Sequence, residues 1–159
     1  MTHLLLAFVL LWSSSAWADI SSLSGRVVRI VDGDTIVLEA GGARHKVRLA
    51  GIDAPEKNQP WGEAVTRELR RQIAGRDVLI DWSKKDRWNR LIGIIRLDGE
   101  DQNLHLVERG LAWHYKRYAD EQSRTNQTAY DAAERAARDA RRGLWSDPNP
   151  VPPWEWRKR

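Results

Sequence analysis

Three carboxylates and two guanidinium groups stand where predicted strands end or begin. Asp34 follows the turn Asp32-Gly33. Asp53 closes a strand, Glu56 comes three residues later, Arg48 lies five residues before Asp53 on the polar face of the same strand, and Arg90 opens a later one. If these strands close into one barrel, all five side chains can meet at one end. The chemistry of that set is specific. Two carboxylates and a backbone carbonyl form a hard-oxygen site suited to calcium, which takes about 6–8 oxygens and so leaves room for water and phosphate. The absence of Cys and His from the set points away from zinc. A carboxylate off the metal can take a proton from an attacking water. Two guanidinium groups can grip phosphate oxygens bidentately and oppose charge that develops during reaction. Singly, each residue has a plainer explanation: Asp-Gly is a common turn, and Arg48 resembles many solvated strand arginines. The grouping is what outweighs it.

The elements that must position these groups are legible. GRVVRIV (25–31) and TIVLE (35–39) are β-branched runs flanking Asp32-Gly33, a hairpin signal. Gly41-Gly42 makes the next turn, and HKVRLAGI (45–52) reads as a third strand with Val47 and Leu49 on one face and Lys46 and Arg48 on the other. Past Pro60, Trp61, Val65, Leu69 and Ile73 recur at helical spacing, and Gly75 closes that helix. DVLIDW (77–82) and LIGIIRL (91–97) are two further strands, separated by the polar loop 83–90. Leu104, Val107 and Leu111 predict a short helix ending near Gly110, and residues 111–118 mix aromatic and basic types. A last helix runs from about Asn126 to Arg142, with Ala129, Ala133, Ala136 and Ala140 on one face, widened by Tyr130 and Ala137, and Gly143 as its C-cap. The tail 147–159 holds four prolines and two tryptophans and reads as irregular. The implied fold is α+β with a mainly β core: a five-stranded OB-type barrel with about three helices.

Residues 1–18, MTHLLLAFVLLWSSSAWA, carry no Asp, Glu, Lys or Arg and end in Ala-Trp-Ala. That is the pattern of a cleavable signal peptide, too short to span a bilayer. The expected organisation is a signal at 1–18 and a single domain at 19–159, with barrel and helices at about 24–146. The product would be secreted or periplasmic, monomeric, and without stable membrane insertion. A net charge of +4 and a pI near 9.7 favour polyanionic partners. The chain has no cysteine, so it stands without disulfides.

VDGDTIVL, then VRLAGIDAPE, then DRWNRLIGII, resembles the staphylococcal nuclease (thermonuclease) family in order, spacing and strand position, and GLAWHYKRY, GLW and PPWEWRKR resemble its bacterial secreted members. The resemblance covers about residues 24–157. It implies calcium ligation by the Asp34 and Asp53 carboxylates and the Ala54 carbonyl, with Glu56 as general base. It implies that Arg48 and Arg90 act on the scissile phosphate of DNA or RNA, and that cleavage leaves 5′-hydroxyl and 3′-phosphate ends. Arg87 and Trp88 would touch the nucleotide, and Tyr115, Lys116 and Tyr118 would lie where the base stacks or the 3′ phosphate sits. Three departures stand out. Many members have Thr at Ala54, where only the carbonyl is needed. Trp88 replaces a pocket tyrosine, and Lys116 aligns better than Tyr115 with a second one.

A non-catalytic OB-type nucleic-acid-binding module is the competing class, since such barrels bind single strands by stacking and charge. It has no use for acids beside a phosphate site, because they repel the ligand. A cationic envelope-binding protein would explain export and charge but not the acid–arginine set. The charged positions of the last helix, Glu134 among them, read as a solvated face. His45, His105 and His114 read as surface or satisfied histidines, Trp61, Trp82 and Trp145 as core, and Trp154 and Trp156 as pins holding the tail on the barrel.

Overall fold

The computed structural model describes residues 20–159; the proposed signal peptide lies outside them. Five strands form a closed barrel: β1 (Ser21–Ile30), β2 (Thr35–Ala40), β3 (Ala43–Leu49), β5 (Asp77–Lys85) and β6 (Leu91–Leu97). They run in the order β3-β2-β1-β5-β6, antiparallel throughout, and a parallel β3–β6 pairing shuts the cylinder. Two-residue strands pair outside it, β4 (Ile52–Asp53) with β8 (Trp113–His114), while β7 (Glu100–Asp101) pairs antiparallel with the end of β6. Helix α1 (Gly62–Ile73) follows β4, α2 (Gln102–Glu108) follows β7, and α3 (Arg124–Asp139) packs on α2. Among the described residues no helix is long and apolar enough to cross a membrane.

Alternation builds the barrel interior. Val47 and Leu49 of β3 are fully buried together with Ile36, Leu38, Ile80 and Ile95, while Lys46 and Arg48 leave by the other face. Val65, Leu69 and Ile73, one face of α1, close the barrel on one side. A second apolar cluster of Trp113, Ala137, Leu144 and Trp145 fastens α3 to β8.

Several expectations change. The segment 45–52 is two strands, because Ala50 and Gly51 turn the chain between β3 and β4. The strand expected at 77–82 continues to Lys85, so the loop before Arg90 is shorter. On α3 the buried stripe is Tyr130, Glu134 and Ala137; Ala136 and Ala140 are exposed. Glu134 is therefore not part of a solvated face. It is 3% exposed, and it accepts the His114 amide and pairs with Lys116 and Arg138. Trp61 is not core: it is 36% exposed, at positive φ just ahead of α1. The tail is not wholly irregular, since Pro153 opens a single helical turn, α4 (Pro153–Trp156).

Candidate active site at the barrel rim

The rung Thr35–Arg48–Ile92, formed by β2, β3 and β6, sets the site. Asp34 directly precedes Thr35, and its carbonyl accepts the Leu49 amide. Asp53 ends β4, which β8 holds through the pair Asp53–Trp113. These placements aim two carboxylates at one atom: Arg48 Nη2 lies 3.1 Å from Asp34 Oδ2 and 3.0 Å from Asp53 Oδ1. Arg48 Nη1 donates to the carbonyls of Leu49 and Ile52, which pins the guanidinium in place. The Ala54 amide donates to Asp34 Oδ2 at 3.0 Å, tying the two acidic segments together.

Gly33 permits this approach for a reason different from the one its turn suggests. Its φ is not in the left-handed region, and residues 31–34 form a loop longer than a two-residue hairpin. A Cβ there would fall 2.5 Å from Val65 Cγ1 and 2.9 Å from Ala54 Cβ. The glycine is needed for space: α1, the Asp34 loop and the Asp53–Ala54 segment all meet at its Cα.

Glu56 sits on the turn between β4 and α1. Its amide donates to Gln59 Oε1, its carbonyl accepts the Gln59 amide, and Gly62 packs so tightly on it that a Cβ would collide with the Glu56 carbonyl. The Glu56 side chain remains half-exposed, whereas that of Asp53 is 1% exposed. Burial pushes the Asp53 carboxyl above its ordinary value, against the pull of Arg157 and Arg48. Asp32 is also raised, by burial and by the charge of Asp34.

Arg90 directly precedes β6, the strand next to the one carrying Arg48, but its guanidinium is not on the acids. Its Nε donates to Asp86 Oδ2 at 2.7 Å, while Asp86 Oδ1 accepts the amides of Trp88 and Arg90. Asp86 thus staples the 86–90 loop, and those bonds, outweighing its partial burial, hold its carboxyl below the usual range. Trp88 is 61% exposed and flanked by two guanidinium groups, Arg87 at 4.1 Å and Arg90 at 5.0 Å from its ring centre. Tyr115 and Tyr118 meet edge to face at 5.3 Å. The Lys116 ammonium is turned away to α3, onto Asp131 and Glu134. His114 is buried and satisfied by Asp131 and Gln122.

Reading the sequence alone missed Arg157. Its Nη2 lies 2.8 Å from Asp53 Oδ2 and its Nη1 2.7 Å from Glu56 Oε1, joining the two acids across the chain's end. No local signal in a Pro/Trp tail marks it. The acid Asp32 was likewise seen only as a turn residue.

Among the described residues no group of three or more His, Asp or Glu side chains comes together as a ligand cluster. The donor set is two converging carboxylates beside the backbone of Ala54. It fits a hard cation that completes its shell with water and phosphate, and it offers nothing to a soft metal.

The family model for "Staphylococcal nuclease homologue" matches residues 46–147. A protein from Escherichia coli O157:H7 described as an uncharacterized endonuclease is 38% identical, over 87% of this chain and 88% of its own length. The micrococcal nuclease of Shigella flexneri is 38% identical over 96% of this chain and 88% of its own. An uncharacterized endonuclease of Haemophilus influenzae is 36% identical over the whole of this chain and 84% of its own. With its closed five-stranded barrel, its rim of acids and arginines, and these matches across most of its length, the chain belongs to the staphylococcal nuclease homologue family.

Proposed function

We infer that the protein is a nuclease that hydrolyses phosphodiester bonds in nucleic acid, and we propose that it is a calcium-dependent endonuclease of little sequence specificity, leaving 5′-hydroxyl and 3′-phosphate ends. The observation that carries the reading is the convergence of Asp34 and Asp53 on one cationic nitrogen, with Glu56 on the same rim. Asp34, Asp53 and the Ala54 carbonyl would hold calcium, which when bound would neutralise phosphate charge and position water. Arg48, already set between the aspartates, would turn to the phosphate. Arg90, at the start of the neighbouring strand, would leave Asp86 to take a second phosphate edge and favour departure of the 5′-oxygen. Glu56, half-exposed and three residues from Asp53, would accept the proton of the attacking water. Trp88 with Arg87 offers a stacking face to a base, and Tyr115 and Tyr118 offer a second.

Single-turnover cleavage of single-stranded DNA, duplex DNA and RNA, with calcium or a chelator, tests this. Glu56→Gln should slow cleavage by about 10²–10⁴-fold, the usual worth of a general base, while calcium-dependent nucleotide binding persists. Wild-type rates in Glu56→Gln would remove the general base. Cleavage that persists in chelator would remove calcium, and intact binding without cleavage by the wild type would favour the interaction module. End-labelling of the products checks the phosphate position. We also propose export with removal of residues 1–18; N-terminal sequencing of the exported protein should return Asp19, and Met1 would overturn it.

A further inference from the structure

The tail reaches the rim through four separate contacts. The Val151 carbonyl accepts from Gln59 Nε2 at 2.6 Å, and Gln59 is the residue that fixes the Glu56 turn. Trp154 stacks on Tyr115 at 5.4 Å and meets Trp113 edge-on at 5.5 Å. Trp156 Nε1 donates to Asn58. Arg157 then spans Asp53 and Glu56, with Nη1 also 3.3 Å from Asp53 Oδ1. Both oxygens of Asp53 are thereby held by guanidinium groups, Oδ1 by Arg48 and Arg157, Oδ2 by Arg157. The anchors at 151, 154 and 156 fix the backbone leading into this arginine, so its position is built rather than incidental.

We propose that Arg157 is an internal cation that competes with the divalent metal for Asp53 and Glu56, so that the C-terminal segment sets the metal affinity of the site and must withdraw its guanidinium for catalysis. The proposal rests on the calcium reading above. A doubly charged ion on Asp53 Oδ2 and a guanidinium on the same oxygen repel one another at contact distance and cannot both be fully bound. The coupling is reciprocal: whatever the tail arginine costs the metal, the metal costs the docked tail. It also bears on Glu56, whose Oε1 is engaged by Arg157 and must be released before it can take a proton. Arg48 also lies on Asp34 and Asp53, but it belongs to the barrel and is anchored by the Leu49 and Ile52 carbonyls, so the cation that leaves with a chain segment is Arg157.

The test is calcium titration by calorimetry, without substrate, of the wild-type chain and of Arg157→Ala and Arg157→Met. It is paired with hydrogen exchange of residues 153–159 at increasing calcium. If the competent form is about one-tenth populated, both variants should bind calcium about tenfold more tightly, and calcium should speed exchange in the wild-type tail. Met keeps an apolar stem of similar length without the charge. Tightening in Ala alone would trace the effect to loss of tail packing and overturn the proposal. Equal calcium affinity in all three proteins would overturn the competition while leaving the calcium reading intact, and weaker binding in the variants would make Arg157 a support of the site instead. No calcium binding by any of them would sink the calcium reading and the competition together.

Discussion

Replacing Arg48 by Met tests how the rim is held together. The arginine lies 3.1 Å from Asp34 and 3.0 Å from Asp53, and donates to the Leu49 and Ile52 carbonyls at 2.7 and 3.0 Å. Its side chain is 16% exposed and that of Asp53 1%, so little solvent is at hand to replace it. Removing one partner of a buried ion pair costs about 3–5 kcal/mol, chiefly because the other charge is left uncompensated. Here the loss is cushioned. Asp53 keeps Arg157, and Asp34 keeps the Ala54 amide and the Thr35 hydroxyl. The expected cost is therefore at the lower end, about 3 kcal/mol, a large share of a total stability of about 5–15 kcal/mol. Met retains the apolar stem, so the change reports charge and hydrogen bonds more than volume. Calcium should partly repair the defect, because a ligand at a hundred times its dissociation constant stabilises by about 2.7 kcal/mol and the variant offers the metal two aspartates with Arg48 no longer between them. Urea unfolding followed by tryptophan fluorescence, in chelator and in calcium, measures both effects. A loss below about 1 kcal/mol in chelator would contradict the value expected for a buried pair, and an equal loss with and without saturating calcium would show that metal and arginine do not act on the same carboxylates.

Asp86→Asn should free Arg90 and unstaple the loop carrying Trp88, lowering nucleotide affinity by about 3- to 10-fold, the worth of one or two hydrogen bonds; unchanged binding and unchanged amide exchange at 87–90 would refute the staple. Gly62→Ala would place a Cβ 1.8 Å from the Glu56 carbonyl oxygen, so it should cost about 2 kcal/mol or more by overpacking and reduce cleavage further by displacing Glu56. A variant as stable and active as wild type would show that the turn yields freely. Glu68 is held below its ordinary value, chiefly by the hydrogen bond from Arg71, which outweighs its partial burial. Its folded pKa is thus lower than its unfolded one, and its contribution to stability is present above about pH 4.3 and drains away as pH falls through the folded value. Stability measured from neutral pH down to pH 3 should fall less steeply in Glu68→Gln than in wild type, and identical slopes would disprove the linkage. Binding of an uncut single-stranded analogue should weaken with salt, by a slope of about −0.7 in log–log terms per phosphate contacted; insensitivity to salt would count against the basic rim as its docking surface.

What the sequence made legible was whatever local periodicity and turn chemistry control. The alternation of Val47, Arg48 and Leu49 put two side chains in the core and the guanidinium at the edge, and the spacing of Val65, Leu69 and Ile73 gave the face of α1. The five strands, and hence the meeting of Asp34, Asp53 and Arg48, followed from that pattern. What was hidden depends on contacts distant along the chain. The alanines of α3 marked the stripe only in part: Ala129 and Ala133 pack on the core beside Tyr130 and Ala137, while Ala136 and Ala140 are exposed, because a small residue is compatible with either surface. Glu134 was buried against expectation because Lys116, the Arg138 side chain and the His114 amide satisfy it there. Trp61 read as core by its type, yet it occupies a left-handed position ahead of α1 with its ring partly in solvent.

Arg157 shows the limit most clearly. It is separated from Asp53 by about a hundred positions, within a segment whose prolines argue against regular structure. Yet those same prolines aid its placement. Pro153 is buried and sits where a helical turn tolerates it, so the turn that follows projects Trp154, Trp156 and Arg157 from a backbone with little freedom to move. A barrel rim bearing converging acids needs nearby positive charge to fold stably, and in this chain Arg48 and Arg157 supply it from segments far apart in the sequence. Charges that stabilise the fold in this way oppose a metal that needs the same oxygens, so stability and metal affinity at this rim are set against each other through two arginines.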